Sequence, residues 1–213
     1  MDISANIEEF LGGRESTSSS ASFDYCFNYF QAHREQGSAT ALADEPLLEL
    51  SCLQLGFYLA SWGMMRGSAV LSRKSVKYLA PVVEVIANAP YDIWDIDADR
   101  YSDQAIATLL RMRDSIRSAF PEGASVILVT KIMLGVFGCV PAFDTYFQKG
   151  FGVTTLNEKS LKQIAQWCLD NAENVDRHRV ATLDFNGGRL TERVYTRAKV
   201  IDMIFFVEGM HKR

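Results

Sequence analysis

One stretch of the chain, TKIMLGVFGCVPAFDTYF at residues 130–147, constrains the fold more than any other. It is an apolar run that two glycines and a proline interrupt and that closes on a carboxylate. Glycine permits tight turns, and proline suits the first turn of a helix. Gly135, Gly138 and Pro141 together therefore predict a helix, a hairpin and a second helix.

Two charged residues, Lys131 and Asp144, flank this predicted hairpin. A charge among Ile, Met, Leu, Val and Phe must be paired, exposed at a cleft or functional, because burying it alone is costly. Asp144 either caps a helix or pairs with Lys131 or Lys149, or it acts as a general base or stabilises developing positive charge. Asp202 lies in another apolar run. If Asp202 pairs with Lys131 or Arg66, it supports the same site. If it pairs with Arg197 or Lys199, it is an ordinary charge within its own helix.

The length of 213 residues and the hydrophobic fraction of 48% suffice for one sizeable core. We expect residues 1–20 to form an N-terminal helix and a mobile Ser-rich loop. Residues 21–213 should form a single compact helical domain, or two packed helical lobes with a cleft. The net charge of -4 argues against indiscriminate binding to polyanions but leaves room for a local basic face.

The cysteines and the N-terminus predict a cytoplasmic location. The four cysteines are scattered among apolar neighbours, without the close spacing of a zinc or redox motif. Residues 1–10 are acidic and lack the basic start of a secretory signal. Residues 125–143 are apolar, but a lysine, two glycines and a proline interrupt them, so no membrane span is expected.

Apolar periodicity and capping residues predict an all-α fold. Besides the N-terminal helix and the helix pair, helices are expected at residues 22–37, 47–65, 75–88, 102–119, 157–171 and 191–208. The segment 47–65 is apolar on nearly every side and should be a central, heavily buried helix. Residues 180–185, followed by the turn at 186–188, predict at most one short β-hairpin.

If the chain has an anion-binding face, its expected starting point is the end of the helix predicted at residues 47–65. Trp62 and Arg66 lie there, and Arg73 and Lys74 follow in a segment without acidic residues. The alternative is that Trp62 belongs to the core and the cations form a solvated edge.

Several classes of site are excluded or disfavoured. Phosphate-binding glycine loops, a nucleophile elbow and a His-Glu-His metal pattern are all missing from the sequence. A group of aspartates at residues 92–99 lacks the glycine and the glutamate of an EF-hand, which favours capping and turn roles. The three histidines lie in polar segments and are expected at the surface. Neither a metal nor a cofactor is expected.

Residues 131–144 resemble the signature of the helix-hairpin-helix DNA glycosylases, in which a hairpin precedes a catalytic aspartate. Residues 141–147, PAFDTYF, are similar to the segment that carries this aspartate. The resemblance implies a helical enzyme that flips a damaged or modified base out of double-stranded DNA and excises it, in repair or phage defence. It assigns Asp144 as the catalytic carboxylate and Lys131 as a strand-cleaving amine.

The same resemblance assigns the DNA contacts. Backbone amides around Gly135 and Gly138 would hold a phosphate, and Arg66, Arg73 and Lys74 would guide the DNA electrostatically. The flipped base would stack on Trp62 or Phe143.

The spacing departs from the family, because Asp144 follows Gly135 by nine residues and the family places more between hairpin and aspartate. Either the intervening helix is shortened, or residues 135–138 are not the family's hairpin.

Two other classes of function stay open from the sequence. One is a non-catalytic helical protein that binds nucleic acid or protein through the helix-hairpin-helix. The other is a structural or regulatory protein whose glycines only let helices pack closely. The sequence does not specify the oligomeric state.

Overall fold

Ten helices and one two-stranded antiparallel sheet make up residues 1–67 and 69–212, the part of the chain that this computed structural model describes. The helices are α1 (Ile3–Leu11), α2 (Ala21–Glu35), α3 (Leu47–Ser61), α4 (Ala80–Ala87), α5 (Asp103–Ser118), α6 (Val126–Phe137), α7 (Thr145–Phe151), α8 (Glu158–Asp170), α9 (Ala172–Arg177) and α10 (Arg197–His211). The strands are β1 (Ala181–Leu183) and β2 (Leu190–Val194). The all-α prediction with one short hairpin is confirmed, at 65% helix.

Local capping explains where several helices begin. The Ser102 hydroxyl accepts from the amide of Ala105, and Asn157 and Ser160 form a reciprocal capping box at the start of α8. Such side chains satisfy amides that have no partner inside the helix. The predicted helices at 102–119 and 157–171 are therefore confirmed to within a residue or two.

The predicted start of the last helix at residue 191 is wrong. Residues Leu190–Val194 form β2, which pairs with β1, and the Thr182 and Thr191 hydroxyls hydrogen-bond across the sheet at 2.6 Å. The helix begins only at Arg197, where the Thr196 hydroxyl accepts from the Lys199 amide. A strand partner that is distant in sequence thus overrides local helix signals.

Two further predictions need correction. Residues 75–88 do not form one helix, because a 3-10 turn at Val76–Leu79 precedes α4. Helix α3 ends at Ser61 and is not buried on every side, since Leu50, Leu53 and Phe57 are exposed along one face.

One cluster of buried side chains runs from Ile7 in α1 to Phe205 in α10. Helix α6 lies inside it, and every residue from Leu128 to Phe137 is buried. Within residues 1–67 and 69–212, no helix combines the length and the apolar character that crossing a membrane requires.

Helices α7 and α10 cross at closest range through two glycines. A Cβ built on Gly209 would overlap the carbonyl oxygen of Tyr146, and one on Gly150 would overlap that of Phe205. This contact fixes α7 and its capping residue, Asp144, against the apolar part of α10.

The Ser-rich segment after α1 is attached to the body at Arg14. Its guanidinium contacts the buried Asp24 carboxylate of α2 at 2.7 Å and also donates to the Ala181 carbonyl of β1. Residues 12–20 therefore run over α2 and the sheet.

Candidate functional site

The strongest candidate site is the ion pair between Lys131 of α6 and Asp144 at the start of α7. Lys131 Nζ lies 3.1 Å from Asp144 Oδ2, and the two side chains are only 5% and 14% exposed. The other oxygen, Asp144 Oδ1, accepts from the amides of Tyr146 and Phe147. Asp144 therefore caps α7 and pairs with Lys131 at once, two roles that the sequence offered as alternatives to catalysis.

The turn between the two helices differs from the predicted hairpin. Gly135 lies inside α6, against the ring of Tyr58, and Gly138 ends the helix in the left-handed conformation at φ +66°. The Gly138 amide donates to the Leu134 carbonyl at 2.9 Å, and both glycines are buried. The expected turn at Gly135 is thus a continuous helix, and both glycines lie away from the protein surface.

Three side chains hold the backbone just before Asp144. The amide of Ala142 donates to Asp202 Oδ1 at 3.0 Å, and the amide of Phe143 donates to the Thr130 hydroxyl at 2.8 Å. The side chain of Gln148 donates to the Phe143 carbonyl at 2.6 Å. Buried backbone groups that side chains hydrogen-bond in this way are held rigidly. These contacts therefore fix where the Asp144 carboxylate points.

A second buried ion pair lies on α10. Lys199 Nζ is 2.8 Å from Asp202 Oδ2, and the side chains are 3% and 7% exposed. Of the partners that the sequence leaves open for Asp202, Lys199 is the one observed. Since Asp202 also binds the Ala142 amide, it supports the turn before Asp144 as well as neutralising its own helix neighbour.

Trp62, at the end of α3, lies between the two ion pairs. The ammonium groups of Lys131 and Lys199 each lie 5.2 Å from the centroid of the indole ring. Ammonium groups are attracted to the face of an indole ring, most strongly when they are desolvated. Among the described residues, the buried indole N–H of Trp62 has no hydrogen-bond partner.

Aromatic rings from α1 and α10 cover Trp62. The ring of Phe10 is nearly parallel to the indole, at 8° and 6.1 Å between centroids, and Phe206 contacts Trp62 edge-on at 6.2 Å. Lys199 Nζ also lies 4.8 Å from the rings of Phe10 and Phe23. The site is thus closed by the protein's own side chains in this conformation.

The environment of Lys131 includes the buried hydroxyl of Tyr58. It donates to the Lys131 carbonyl at 3.1 Å. Burial raises the pKa of Tyr58 well above its ordinary value, and the nearby charges of Asp202 and Asp144 raise it further. Tyr58 therefore stays protonated and acts only as a hydrogen-bond donor to the α6 backbone.

Protein-family models, curated proteins and solved structures give no match to this chain. The chemistry of the site must therefore be judged from its geometry.

Among the described residues, no side-chain hydrogen bond or ion pair links Lys131 or Asp144 to Phe143, Arg66, Arg73 or Lys74. Phe143 is fully buried against Phe147, with 5.3 Å between ring centroids. Arg66 and Arg73 are exposed, whereas Lys74 pairs with Glu122 at 2.6 Å. Phe143 is therefore a core residue, and the stacking surface nearest to the pair is Trp62.

The described residues contain no group of three or more His, Cys, Asp or Glu side chains placed to hold a metal ion. Asp97, from the aspartate-rich segment, accepts from the amides of Arg197 and Ala198 and caps α10. The capping role expected for that segment is confirmed at this residue.

Proposed function

We propose that the chain is a DNA glycosylase-like enzyme whose catalytic centre is the Lys131–Asp144 pair. The observation that carries this proposal is the 3.1 Å contact between an amine and a carboxylate, beside an indole ring whose N–H has no partner among the described residues. This combination supplies an electrostatic group, a nucleophile and a stacking surface in one place. Its substrate would be double-stranded DNA that carries a damaged or modified base.

The proposed reaction starts with the extrusion of the base and its stacking on Trp62. Unstacking a base costs a few kcal/mol, least for one that pairs poorly, which gives some selectivity for damage. As the N-glycosidic bond breaks, its electron pair leaves with the base and positive charge develops on the sugar. The Asp144 carboxylate stabilises that charge, since its field is poorly screened among apolar side chains.

Two nucleophiles are compatible with this geometry. Asp144 orients a water molecule, or it accepts a proton from Lys131, whose neutral amine then attacks C1′ as the base departs. The second route forms an imine after the sugar ring opens and leads to strand cleavage. Because Lys131 Nζ and Asp144 Oδ2 already lie at hydrogen-bond distance, neither route needs a rearrangement of the pair itself.

DNA contacts in this proposal come from exposed cations and not from the buried turn glycines. Arg66 and Arg73 are exposed, and neither forms an ion pair within the part of the chain that the structure describes. Phosphate contacts of this kind give binding that weakens steeply with salt. A cytoplasmic setting, in repair or in defence against phage, fits the scattered cysteines, which are all buried as free thiols.

The test is a panel of duplexes, each with one damaged or modified base, incubated with the purified protein and then treated with alkali. Cleavage at the modified position reports base release. Borohydride added during the reaction distinguishes the two routes, because it traps an imine on Lys131 and leaves the water route without an adduct. A protein that binds these duplexes but releases no base from any of them contradicts the proposal.

A second candidate is a non-catalytic helical protein that binds nucleic acid or another protein. The observation that favours it is the exposed apolar face of α3, formed by Leu50, Leu53 and Phe57. Its docking element would be this face, because the glycines of the turn are buried. Binding without base release in the panel is the outcome that this candidate predicts.

A further inference from the structure

We infer that α1 is a lid, and that Phe10 fills the position on Trp62 that an extruded base takes. This inference rests on the proposed function and concerns the regulation of the same site. Phe10 lies nearly parallel to Trp62, as a stacked base would, with 6.1 Å between ring centroids. Base stacking on such a ring is tolerant of sequence because every base has a planar face.

The groups around Phe10 suit a planar heteroaromatic ring. Phe206 meets Phe10 edge-on at 5.7 Å and Trp62 edge-on at 6.2 Å, so its ring bounds one side of the stack. The Lys199 ammonium lies 4.8 Å from the Phe10 centroid. A base in place of Phe10 would therefore meet an indole face, an aromatic edge and a cation.

The Trp62 indole N–H distinguishes a base from the phenyl ring that is now there. It is buried and lacks a hydrogen-bond partner among the described residues, which costs free energy in the closed state. A nucleobase carries acceptor atoms at its edge, whereas the Phe10 ring carries none. The indole N–H points along the ring plane, so a base stacked on the ring face does not accept from it, but an oxygen of the same nucleotide beside the ring edge can, and the ligand then favours the open state.

The attachment of α1 allows it to move as a unit. Gly12 and Gly13 follow the helix, and a Cβ at Gly13 would meet nothing within 4 Å. A hydrogen bond from the Arg14 amide to the Leu11 carbonyl, 2.9 Å long, spans the two glycines, and the Arg14 side chain contacts Asp24 at 2.7 Å. Opening at this hinge breaks the first contact and keeps the second.

Both polar and apolar contacts hold α1 to α10. Asn6 donates to the Ile204 carbonyl at 3.2 Å and to Glu208 at 3.3 Å, and Glu9 contacts His211 at 3.1 Å. Ile7 and Asn6 are buried, at 2% and 6% exposure, and Ile3, Phe10 and Leu11 pack partly buried against the core. Opening therefore breaks the contacts of α1 with α10 and the neighbouring core, but it involves none of the hydrogen bonds that hold the turn before Asp144.

The first test locks the lid reversibly. Glu9→Cys and His211→Cys place two thiols on α1 and α10 where the native side chains touch, and a short cleavable cross-linker joins them. The native thiols are buried and should not react. We expect base release to fall at least tenfold in the cross-linked form and to return when the linker is cleaved. Unchanged release in the cross-linked form would overturn the lid while leaving the enzyme proposal intact.

The second test removes the Phe10 ring. Phe10→Ala should bind a duplex with an extruded base about fivefold more tightly, which corresponds to ~1 kcal/mol of aromatic stacking that no longer competes. Leu11→Ala is the matched control, because it shortens an apolar side chain of the same helix and keeps both rings of the stack, Phe10 and Trp62. Equal affinities for the Phe10 variant and the wild type would contradict the inference.

A third readout does not depend on catalysis. Amide hydrogen exchange of residues 3–11 should accelerate when the protein binds a duplex with an extruded base. Acceleration without base release would support the lid and reject the enzyme proposal. Base release without acceleration would reject the lid alone, and the absence of both would reject the two proposals together.

Discussion

Neutralising Asp144 is expected to destabilise the fold, because it leaves the Lys131 ammonium buried without an acid. Breaking a fully buried pair costs about 3–5 kcal/mol. Asp144 is 14% exposed, and Lys131 keeps its contact with the Trp62 ring at 5.2 Å, so both features reduce the loss. We expect Asp144→Asn to lower the free energy of unfolding by about 2 kcal/mol, and Tm by about 4–8 °C.

The double-mutant cycle isolates the contribution of the pair. Lys131→Met removes the ammonium and keeps most of the side-chain volume, while Asp144→Asn keeps an oxygen that can cap α7. The double variant should lose about 1–2 kcal/mol less free energy of unfolding than the two single variants lose together. Urea unfolding followed by circular dichroism measures each free energy, provided that the dependence on urea stays constant.

A surface pair of the same chemistry is the control. Lys162 contacts Asp103 at 3.2 Å, and the side chains are 52% and 89% exposed. Solvent screens such a pair, so the coupling in Lys162→Met and Asp103→Asn should be about 0.5 kcal/mol or less. A coupling for Lys131 and Asp144 as small as this control would refute the account of a buried, unscreened pair.

Three other outcomes are expected. Gly209→Ala should lower the free energy of unfolding by about 2–3 kcal/mol in urea, because its Cβ would overlap the rigid Tyr146 carbonyl. Gly13→Ala should leave the free energy of unfolding unchanged. Equal effects of the two substitutions would contradict the close α7–α10 contact. The four buried thiols, whose pKa values burial raises, should resist maleimide labelling until the protein unfolds; rapid labelling of the native protein would be inconsistent with this packing. Hydrogen bonds from the amides of Gly187 and Arg189 lower the pKa of Asp184 below its ordinary value of 3.8. The contribution of the Asp184 carboxylate to loop stability therefore persists above that pH and is lost as pH falls through the lowered pKa. An NMR titration of the Gly187 amide with a midpoint above 3.8 would contradict this direction.

The sequence predicted those parts of the fold that depend on neighbouring residues. Ser102 and Asn157 begin helices as expected, since a capping side chain acts on amides two or three residues away. The charges of Lys131 and Asp144 also stood out, because ionisable groups are rare in apolar runs. Their mutual pairing was one of several alternatives, and only the geometry selects it.

Other features depend on contacts that sequence patterns do not specify. Gly135 was expected in a turn, yet it serves close packing against Tyr58, and a glycine looks the same in sequence for either purpose. Phe10 and Trp62 are distant in sequence, so no local sequence pattern predicts their contact. Lys199 and Asp202 carried a detectable signal, because two opposite charges three residues apart lie in an apolar run.

Single-turnover base release by Asp144→Asn tests the central claim most directly, with a duplex that the wild type processes. The Asp103→Asn variant, an equal substitution at an exposed ion pair, is run beside it, and both are assayed at a temperature where urea unfolding shows them folded. We predict that release falls about 100-fold or more in Asp144→Asn and stays at the wild-type rate in Asp103→Asn. Release at the wild-type rate from a folded Asp144→Asn protein would contradict the assignment of this carboxylate as the catalytic group.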